Sequence, residues 1–168
     1  MALTFLPDSD LTIDVVVTCD PSVDATPEQV DAYLESGEPS DLSGVEGATV
    51  FTLKALSPSD REAAEVKAGA YTRSELGRLL WLESPEEERA KARWHHELEE
   101  DERAALASYQ AYLNNVFVEM VKASLISIDG EPAEGKLDLI KPEAHRLQVI
   151  GELVKHIQRI SLLGLRGK

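Results

Sequence analysis

The chain has 168 residues, of which 43% are hydrophobic, and it carries a formal net charge of −14 at pH 7. This length and composition predict a globular domain with its own core and exclude an intrinsically disordered chain. No stretch reaches the roughly 18–20 consecutive apolar residues that span a bilayer, and the N-terminus lacks the basic region of a signal peptide. We therefore expect a protein that stays in the cytoplasm in which it is made.

The charges are unevenly distributed along the chain. Residues 1–53 contain eleven Asp or Glu and no Lys or Arg, whereas residues 141–168 contain six Lys or Arg and two Glu. So acidic a chain is not expected to bind free nucleic acid, because its carboxylates and the phosphates repel each other. The asymmetry predicts either that the two ends pair within the molecule or that the acidic part docks on a basic protein surface. A solvated acidic arm is the third interpretation.

The first third of the chain predicts two strands and a short helix. Residues 11–19 are short and β-branched, which is typical of a strand. Residues 26–29 read Thr-Pro-Glu-Gln, a capping box that predicts a helix over about residues 27–35, ended by Gly37. After an acidic loop that we expect to be exposed, residues 49–56 predict a second strand that pairs with the first.

The rest of the chain is mainly helical in pattern. A cap followed by Pro and an acid predicts a helix over about Pro58–Ala68, and residues 72–82 predict a further helical segment. Residues 85–125 contain no Gly and no internal Pro, and we expect the central helix there, either unbroken or broken near residue 100. A short β-prone stretch at 125–128 precedes an Asp-Gly turn, and an amphipathic helix starts at Pro142.

These elements predict an α+β fold that is mainly α. We expect a small two- or three-stranded β element in the N-terminal half, packed on a helical bundle with a long central helix. Residues 1–48 form an acidic strand, helix and loop region, and residues 49–168 form the mainly helical part of what we expect to be one compact domain. The predicted core packs one apolar stripe of the central helix against a stripe of the last helix. Its members are Tyr109, Leu113, Val116, Phe117 and Met120 on the first helix, and Leu147, Ile150, Val154 and Ile157 on the second.

No residue pattern predicts a catalytic, cofactor or metal site. His96 and Glu100 stand four residues apart, but a zincin motif needs His at the second position and a di-iron bundle needs a second Glu/His pair. A solvated helix face is the favoured interpretation. We expect His145 and His156 to lie at the surface or at the edge of the core. Cys19 is the single cysteine, so it forms no internal disulfide, and we expect a small hydrophobic residue at a strand end.

The polar segment before the central helix is the predicted protein interface. Residues 83–102 carry nine acids and three bases. From Pro85 to Glu102 the segment is polar nearly all round, and its only large apolar residues are Trp94 and Leu98. Its apolar stripe is too narrow for burial alone to hold the segment in place. We therefore expect the segment to be exposed or to lie against a partner. The candidate interface residues are Trp94, Leu98, Glu97, Glu100 and Asp101.

Two stretches together resemble a known family. The first is Phe-Thr-Leu-Lys-Ala-Leu-Ser at 51–57, running into the helix Pro58–Ala68. The second is a helix ending at 116–124, then 126–130, an acidic loop, 137–140, Pro142 with Glu143, and the apolar pattern of 152–163. Over about residues 50–163 this order is similar to the tail assembly chaperones and related tail structural proteins of long-tailed bacteriophages. The acidic region before residue 49 departs from that family's pattern.

The resemblance implies a small, mostly helical phage protein that is not an enzyme and uses no cofactor. Its expected partners are tail tube, tape-measure or baseplate subunits, with homo-oligomerisation as a further option and no nucleic-acid or membrane partner. The expected location is the host cytoplasm, with incorporation into the virion left open. The alternative is an acidic inhibitor that occupies a basic nucleic-acid-binding site on a host protein. A metal enzyme built on His96 and nearby acids is the third and least favoured hypothesis.

Overall fold

The computed structural model describes residues 11–69, 100–140 and 143–165, and only the backbone at 101–103, 105–106, 143 and 162–165. The strands within these ranges are β1 (Thr12–Val16), β2 (Val50–Lys54), β3 (Leu125–Ile128) and β4 (Glu131–Pro132). The helices are α1 (Pro27–Ser36), α2 (Pro58–Ala68), α3 (Glu100–Ser124) and α4 (Glu143–Leu165). None of these described helices is both long and apolar enough to cross a membrane. The predicted helical segments at 72–82 and 85–99 lie outside the described residues.

Local chemistry fixes where α1 begins and ends. Thr26 and Gln29 cap each other's backbone: Gln29 N–H donates to Thr26 Oγ1 at 3.3 Å, and Thr26 N–H donates to Gln29 Oε1 at 2.9 Å. Gly37 ends the helix with a φ of 75°, a left-handed conformation that a side chain disfavours. The predicted helix and both of its boundary signals are confirmed.

The same chemistry starts α2. Ser57 accepts a hydrogen bond from Asp60 N–H at 3.2 Å, and the Asp60 carboxylate accepts one from Ser57 N–H at 3.0 Å. Pro58 occupies the first helical turn, where its missing N–H costs nothing. The predicted helix over Pro58–Ala68 is confirmed.

The strands form an antiparallel sheet in the order β1-β2-β3-β4. The predicted pairing of the first two strands is confirmed, with Val15 opposite Phe51. The sheet recruits two more strands from beyond the central helix, joined by a turn in which Asp129 and Gly130 both have positive φ, 52° and 76°. The fold is therefore α+β and mainly helical, as predicted, with four strands in one sheet rather than two or three.

The main core lies between one face of the sheet and the helices α3 and α4. It contains the side chains Val15, Val17, Phe51, Leu53, Val116, Met120, Val121, Val149, Ile150, Leu153, Val154, Ile157 and Ile160. The predicted pairing of α3 with α4 is confirmed in its centre but not at its edges: Leu147 is 40% exposed, and Leu113 and Phe117 are half-buried. The helix α3 packs on both α2 and α4. Its most buried large side chains are therefore Met120 and Val121, near its C-terminal end.

Two buried serines tie the end of β2 to the helices. Ser161 of α4 accepts a hydrogen bond from Leu56 N–H at 3.0 Å, and Ser124 of α3 donates to the Lys54 carbonyl at 2.5 Å. Leu56 lies beyond β2, and Lys54 lies beyond the last pair of β2 with β3, so both backbone groups would lose free energy if they were buried without a partner. The serines thereby fix the distance between the sheet and both helices.

A second, smaller core lies beneath α1. Val16, Tyr33, Leu42 and Ala48 are buried there. The loop after Gly37, expected to be exposed, contains two short 3₁₀ helices, Pro39–Asp41 and Val45–Gly47, and it buries Leu42 between them.

Candidate functional site

Ionisable side chains gather at two places in the described structure. One is a buried cluster between α1, the end of β1 and α4, built around Tyr33 and His156. The other is an open groove at the end of the sheet where β2 begins. Their chemistry differs, because the first is closed to solvent and the second is not.

In the buried cluster, side chains replace the missing strand neighbour of β1. The Tyr33 hydroxyl accepts a hydrogen bond from Val16 N–H and donates one to the Val16 carbonyl, both at 3.0 Å. Beyond the strand, Thr18 N–H donates to Glu152 Oε2 at 2.6 Å. An edge strand presents unpaired backbone groups on its outer side. Here α1 and α4 satisfy those groups and hold the edge in place.

His156 lies inside the protein rather than at its surface or at the core edge, so that prediction is wrong for this residue. Its side chain is 0% exposed, and its ring centroid lies 4.9 Å from that of Tyr33. Nδ1 is 3.3 Å from Nη2 of Arg159, and because arginine only donates, Nδ1 is the acceptor of the neutral ring. Burial, followed by the positive charges of Arg159 and Lys155, lowers the pKa of His156 to about 4. His145, by contrast, is half-buried.

Arg159 places its guanidinium against the end of α1. The space that a Cβ on Gly37 would fill is occupied by this guanidinium. The last turn of α1 contains no basic residue of its own, so Arg159 supplies the positive charge that favours the carbonyl end of a helix. Its Nε and Nη1 atoms are buried and have no hydrogen-bond partner within the described structure.

Cys19 is held as a protonated thiol. It is half-buried against the main core. Burial raises its pKa to about 12, with the Glu152 carboxylate adding to the effect. A thiol with such a pKa is a poor nucleophile at neutral pH, and the predicted hydrophobic role of Cys19 agrees with its packing. Thiol, imidazole and phenol in this cluster are thus used for packing and for backbone hydrogen bonds.

The groove has a volume of about 380 Å³ and opens at the end of the sheet. The segment that follows β1, strands β2 and β3, the 3₁₀ turn Leu137–Leu139 and the start of α4 all contribute to its walls. Its floor is apolar and consists of Val17, Phe51, Ile128, Ile140 and Val149, and its rim carries Asp20, Thr49, Lys136, Leu139 and His145. Leu139 on the rim is 74% exposed, so its apolar side chain is accessible to a molecule that enters the groove.

Two aspartates flank the start of β2: Asp20 lines the groove, and Asp129 is the residue that follows Ile128 of the groove lining. Thr49 N–H donates to Asp20 Oδ2 at 3.0 Å, and Val50 N–H donates to Asp129 Oδ1 at 2.8 Å. Partial burial acts to raise the pKa of Asp20, but hydrogen bonds from Thr49 and Ser22 outweigh it, and the pKa lies below its usual value. Asp20 is therefore ionised at neutral pH.

The bases near the groove already have carboxylate partners. Lys136 pairs with Glu131, and Arg146, beside His145, pairs with Asp138 at 3.5 Å. Asp20 accepts hydrogen bonds from Ser22 and Thr49, Asp129 accepts one from Val50 N–H, and neither carboxylate forms an ion pair with a described residue. Among the described residues, Asp20 in the groove lining and Asp129 beside it are therefore carboxylates without an ion-pair partner. A second groove of about 430 Å³ along the β3–β4 hairpin is lined by residues such as Leu125, Pro132 and Leu137.

The outer face of α1 is acidic throughout. Glu28, Asp31 and Glu35 stand at spacings of three and four, so they lie on one helix face, and all three are exposed. None of them forms an ion pair with a described residue. The described ion pairs also include none between residues 11–53 and residues 143–165. Within the described residues, the acidic face of α1 is therefore exposed to solvent and is not paired with the basic side chains of α4.

The predicted interface falls mostly outside the described residues. Trp94, Glu97 and Leu98 lie there, as does His96. Glu100 is the first residue of α3 and is exposed, and of Asp101 only the backbone is described. Within the described ranges, no group of three or more His, Cys, Asp or Glu side chains could hold a metal ion. The interface stays a prediction.

Sequence reasoning did not identify the groove, although two of its signals were visible. Asp20 and Asp129 each follow a predicted strand within a turn signal, Asp-Pro and Asp-Gly. Likewise, His156 stands between Leu153 and Ile157 in the most apolar part of α4, which favours burial. No local sequence pattern shows that both aspartates accept hydrogen bonds at the start of the same strand, β2.

Neither a protein-family model, nor a curated protein sequence, nor a solved structure matches this chain.

Proposed function

We propose that this protein is a non-enzymatic bacteriophage tail assembly or tail structural protein that acts through protein–protein contacts. The resemblance over about residues 50–163 motivates the tail assignment. The observation that carries the contact role is the acidic face of α1, because its Glu28, Asp31 and Glu35 are exposed and form no ion pair with a described residue. Its partners would be tail tube, tape-measure or baseplate subunits in the host cytoplasm, and incorporation into the virion would require such a contact to persist.

The three carboxylates of this face, which no described residue neutralises, affect the stability of α1 and its attraction for a partner. Like charges at helical spacings of three and four repel, and each exposed pair destabilises α1 slightly. A basic partner surface would remove that repulsion and would attract the acidic face during encounter. The acidic face is thus better suited to contact with a basic subunit than to packing within its own chain.

The buried cluster supports a role without catalysis. Cys19 is protonated and His156 is neutral at neutral pH, with pKa values of about 12 and about 4. The Tyr33 hydroxyl is occupied by both backbone groups of Val16. General acid–base catalysis is favoured by a group that titrates near the working pH. The proposal therefore assigns these side chains to stability, and it includes no cofactor, membrane or nucleic-acid partner.

The test is co-expression with candidate tail tube, tape-measure and baseplate subunits, followed by purification at low and high salt. The informative variant carries Glu28→Gln, Asp31→Asn and Glu35→Gln, and the control removes two charges at exposed positions of α2 with Glu62→Gln and Glu65→Gln. We expect a complex that weakens with salt and in the α1 variant but not in the control, because screening reduces steering between charged surfaces. Trp94→Ala tests the predicted interface in the same assay. Absence of a complex with every tail subunit would contradict the proposal.

The second candidate function is an acidic inhibitor that occupies a basic nucleic-acid-binding site on a host protein. The same acidic face of α1 supports it. Three carboxylates separated by about 4.5 and about 6 Å of helix rise form a row of negative charge that would occupy a phosphate-binding site. The discriminating observation is competition. A complex that duplex DNA dissociates indicates an inhibitor of a nucleic-acid-binding host protein, whereas a tail complex unaffected by DNA supports the first proposal.

A further inference from the structure

We infer that the groove at the start of β2 is a docking site for a partner segment with one large apolar side chain flanked by Lys or Arg. This inference rests on the proposed function and specifies its partner: a basic segment of another protein, anchored by a side chain such as Trp or Leu. The acidic face of α1 does not by itself define such an anchor, because it offers charge without a cavity.

The shape and lining of the groove select the anchor. Its volume of about 380 Å³ lies at the lower end of the range for binding pockets. The floor is formed by core residues, among them Phe51 and Val149, that are fixed by the sheet and by α4. A partner side chain inserted there would be desolvated on entry and would also cover the exposed Leu139. Large apolar and aromatic anchors in such rigid pockets carry most of the binding energy in protein interfaces.

The charges at the mouth select what flanks the anchor. The described bases beside the groove, Lys136 and Arg146, are already paired with Glu131 and Asp138, so they form no ion pair with Asp20 or Asp129. These two carboxylates stand on either side of β2 and are held there by Thr49 and Val50 N–H. Because their positions are fixed before binding, a Lys or Arg on either side of the anchor meets a preorganised negative charge.

The same charges disfavour a second copy of this chain as the occupant. Two copies joined groove to groove would bring the Asp20 and Asp129 carboxylates of both chains together, and like charges across an interface cost binding energy. A net charge of −14 acts in the same direction at long range. The occupant is therefore a different and basic chain.

The experiment titrates the ¹⁵N-labelled full chain with two synthetic peptides, acetyl-Arg-Gly-Trp-Gly-Arg-amide and its Glu-flanked counterpart. We expect saturating shift changes with the basic peptide at the amides of Thr49, Ile128 and Leu139, and none with the acidic one. Leu139→Ser removes an exposed contact and Asp129→Asn removes one charge. Asparagine retains an oxygen for Val50 N–H and tolerates the positive φ at this position. Each should weaken binding about two- to fivefold at low salt, and the exposed Glu65→Gln should not.

A second arm repeats the co-purification with tail subunits using Leu139→Ser and Asp129→Asn. Loss of the tail complex in these variants supports the groove as the docking site. If the complex forms but both variants leave it unchanged, the groove inference is overturned while the proposed function stands. If the basic peptide fills the groove but no tail subunit binds, the tail function fails and the groove remains a site for another basic partner. Shift changes confined to α1, or equal binding of both peptides, overturn the inference.

Discussion

A single hydroxyl group, that of Tyr33, makes two hydrogen bonds to Val16, one with its N–H and one with its carbonyl, each at 3.0 Å. Val16 belongs to an edge strand, so these backbone groups have no neighbouring strand to pair with. Tyr33 is completely buried and its ring packs against His156. One side chain thus joins α1, β1 and α4.

Tyr33→Phe should destabilise the protein by about 1–3 kcal/mol, because it leaves a buried N–H and a buried carbonyl without partners. Urea denaturation followed by circular dichroism measures this loss. Ser40→Ala removes a hydroxyl from an exposed position and should change the free energy of unfolding by less than about 0.5 kcal/mol. Equal effects of the two substitutions would show that the Tyr33 hydroxyl does not stabilise β1.

Gly37→Ala should destabilise the protein more than Gly135→Ala. Both glycines have nearly the same φ, 75° and 72°, so the backbone strain is matched at about 1–2 kcal/mol. Only at Gly37 would the new Cβ fall on the guanidinium of Arg159, whereas Gly135 faces open space. The substitution therefore also displaces Arg159 from His156.

The Arg159→Met background tests this explanation. Without the guanidinium, Gly37→Ala should cost no more than Gly135→Ala in thermal or urea unfolding. A difference between the two glycines that persists in Arg159→Met would place its origin elsewhere.

His156 should make stability depend on pH between about 6.5 and about 4. Its folded pKa of about 4 lies below the ordinary 6.5, so the unfolded chain binds the proton more readily and folding is most favoured where the ring is neutral. This contribution is fully present above pH 6.5 and is lost as the pH falls toward 4, by roughly 3 kcal/mol. The groups that face the ring are Tyr33 of α1 and Arg159 of α4.

The measurement is the free energy of unfolding in urea at several pH values across that range. Carboxylates titrate at the lower end of it, so the informative quantity is the difference between wild type and His156→Gln. We expect the variant to lose most of the slope, and His145→Gln, at a half-buried position, to keep it. The same slope in wild type and His156→Gln would contradict the assignment.

Ile157→Ala should cost about 2–5 kcal/mol, because Ile157 is fully buried in the main core. Leu147→Ala on the same helix should cost less than about 1 kcal/mol, because this side chain is 40% exposed. Phe117→Ala, at a half-buried position of α3, should fall between them. A larger loss at Leu147 than at Ile157 in a urea melt would mean that the buried stripe of α4 is misplaced.

Much of the fold could be predicted because its signals are local. A cap, a Pro and an acid within four residues specify the start of α2, and Gly37 specifies the end of α1, since each signal acts through backbone groups a few residues away. Alternation and β-branching identify β1 and β2 in the same way. These features need no knowledge of the rest of the chain.

Only the tertiary structure shows the candidate groove, the buried cluster around Tyr33 and His156, and how deeply each residue of an apolar helix stripe is buried. Helical periodicity puts Leu147 on the same face as Ile150, but it does not say at which turn of α4 burial begins. Turn signals place Asp20 and Asp129 after strands, but they do not say that both carboxylates hold the start of β2. The same is true of Arg159 beside Gly37 and of Glu152 on Thr18 N–H. These contacts join residues far apart in the chain, so they exist only once the sheet and the helices have packed, and no pattern within a window of sequence encodes them.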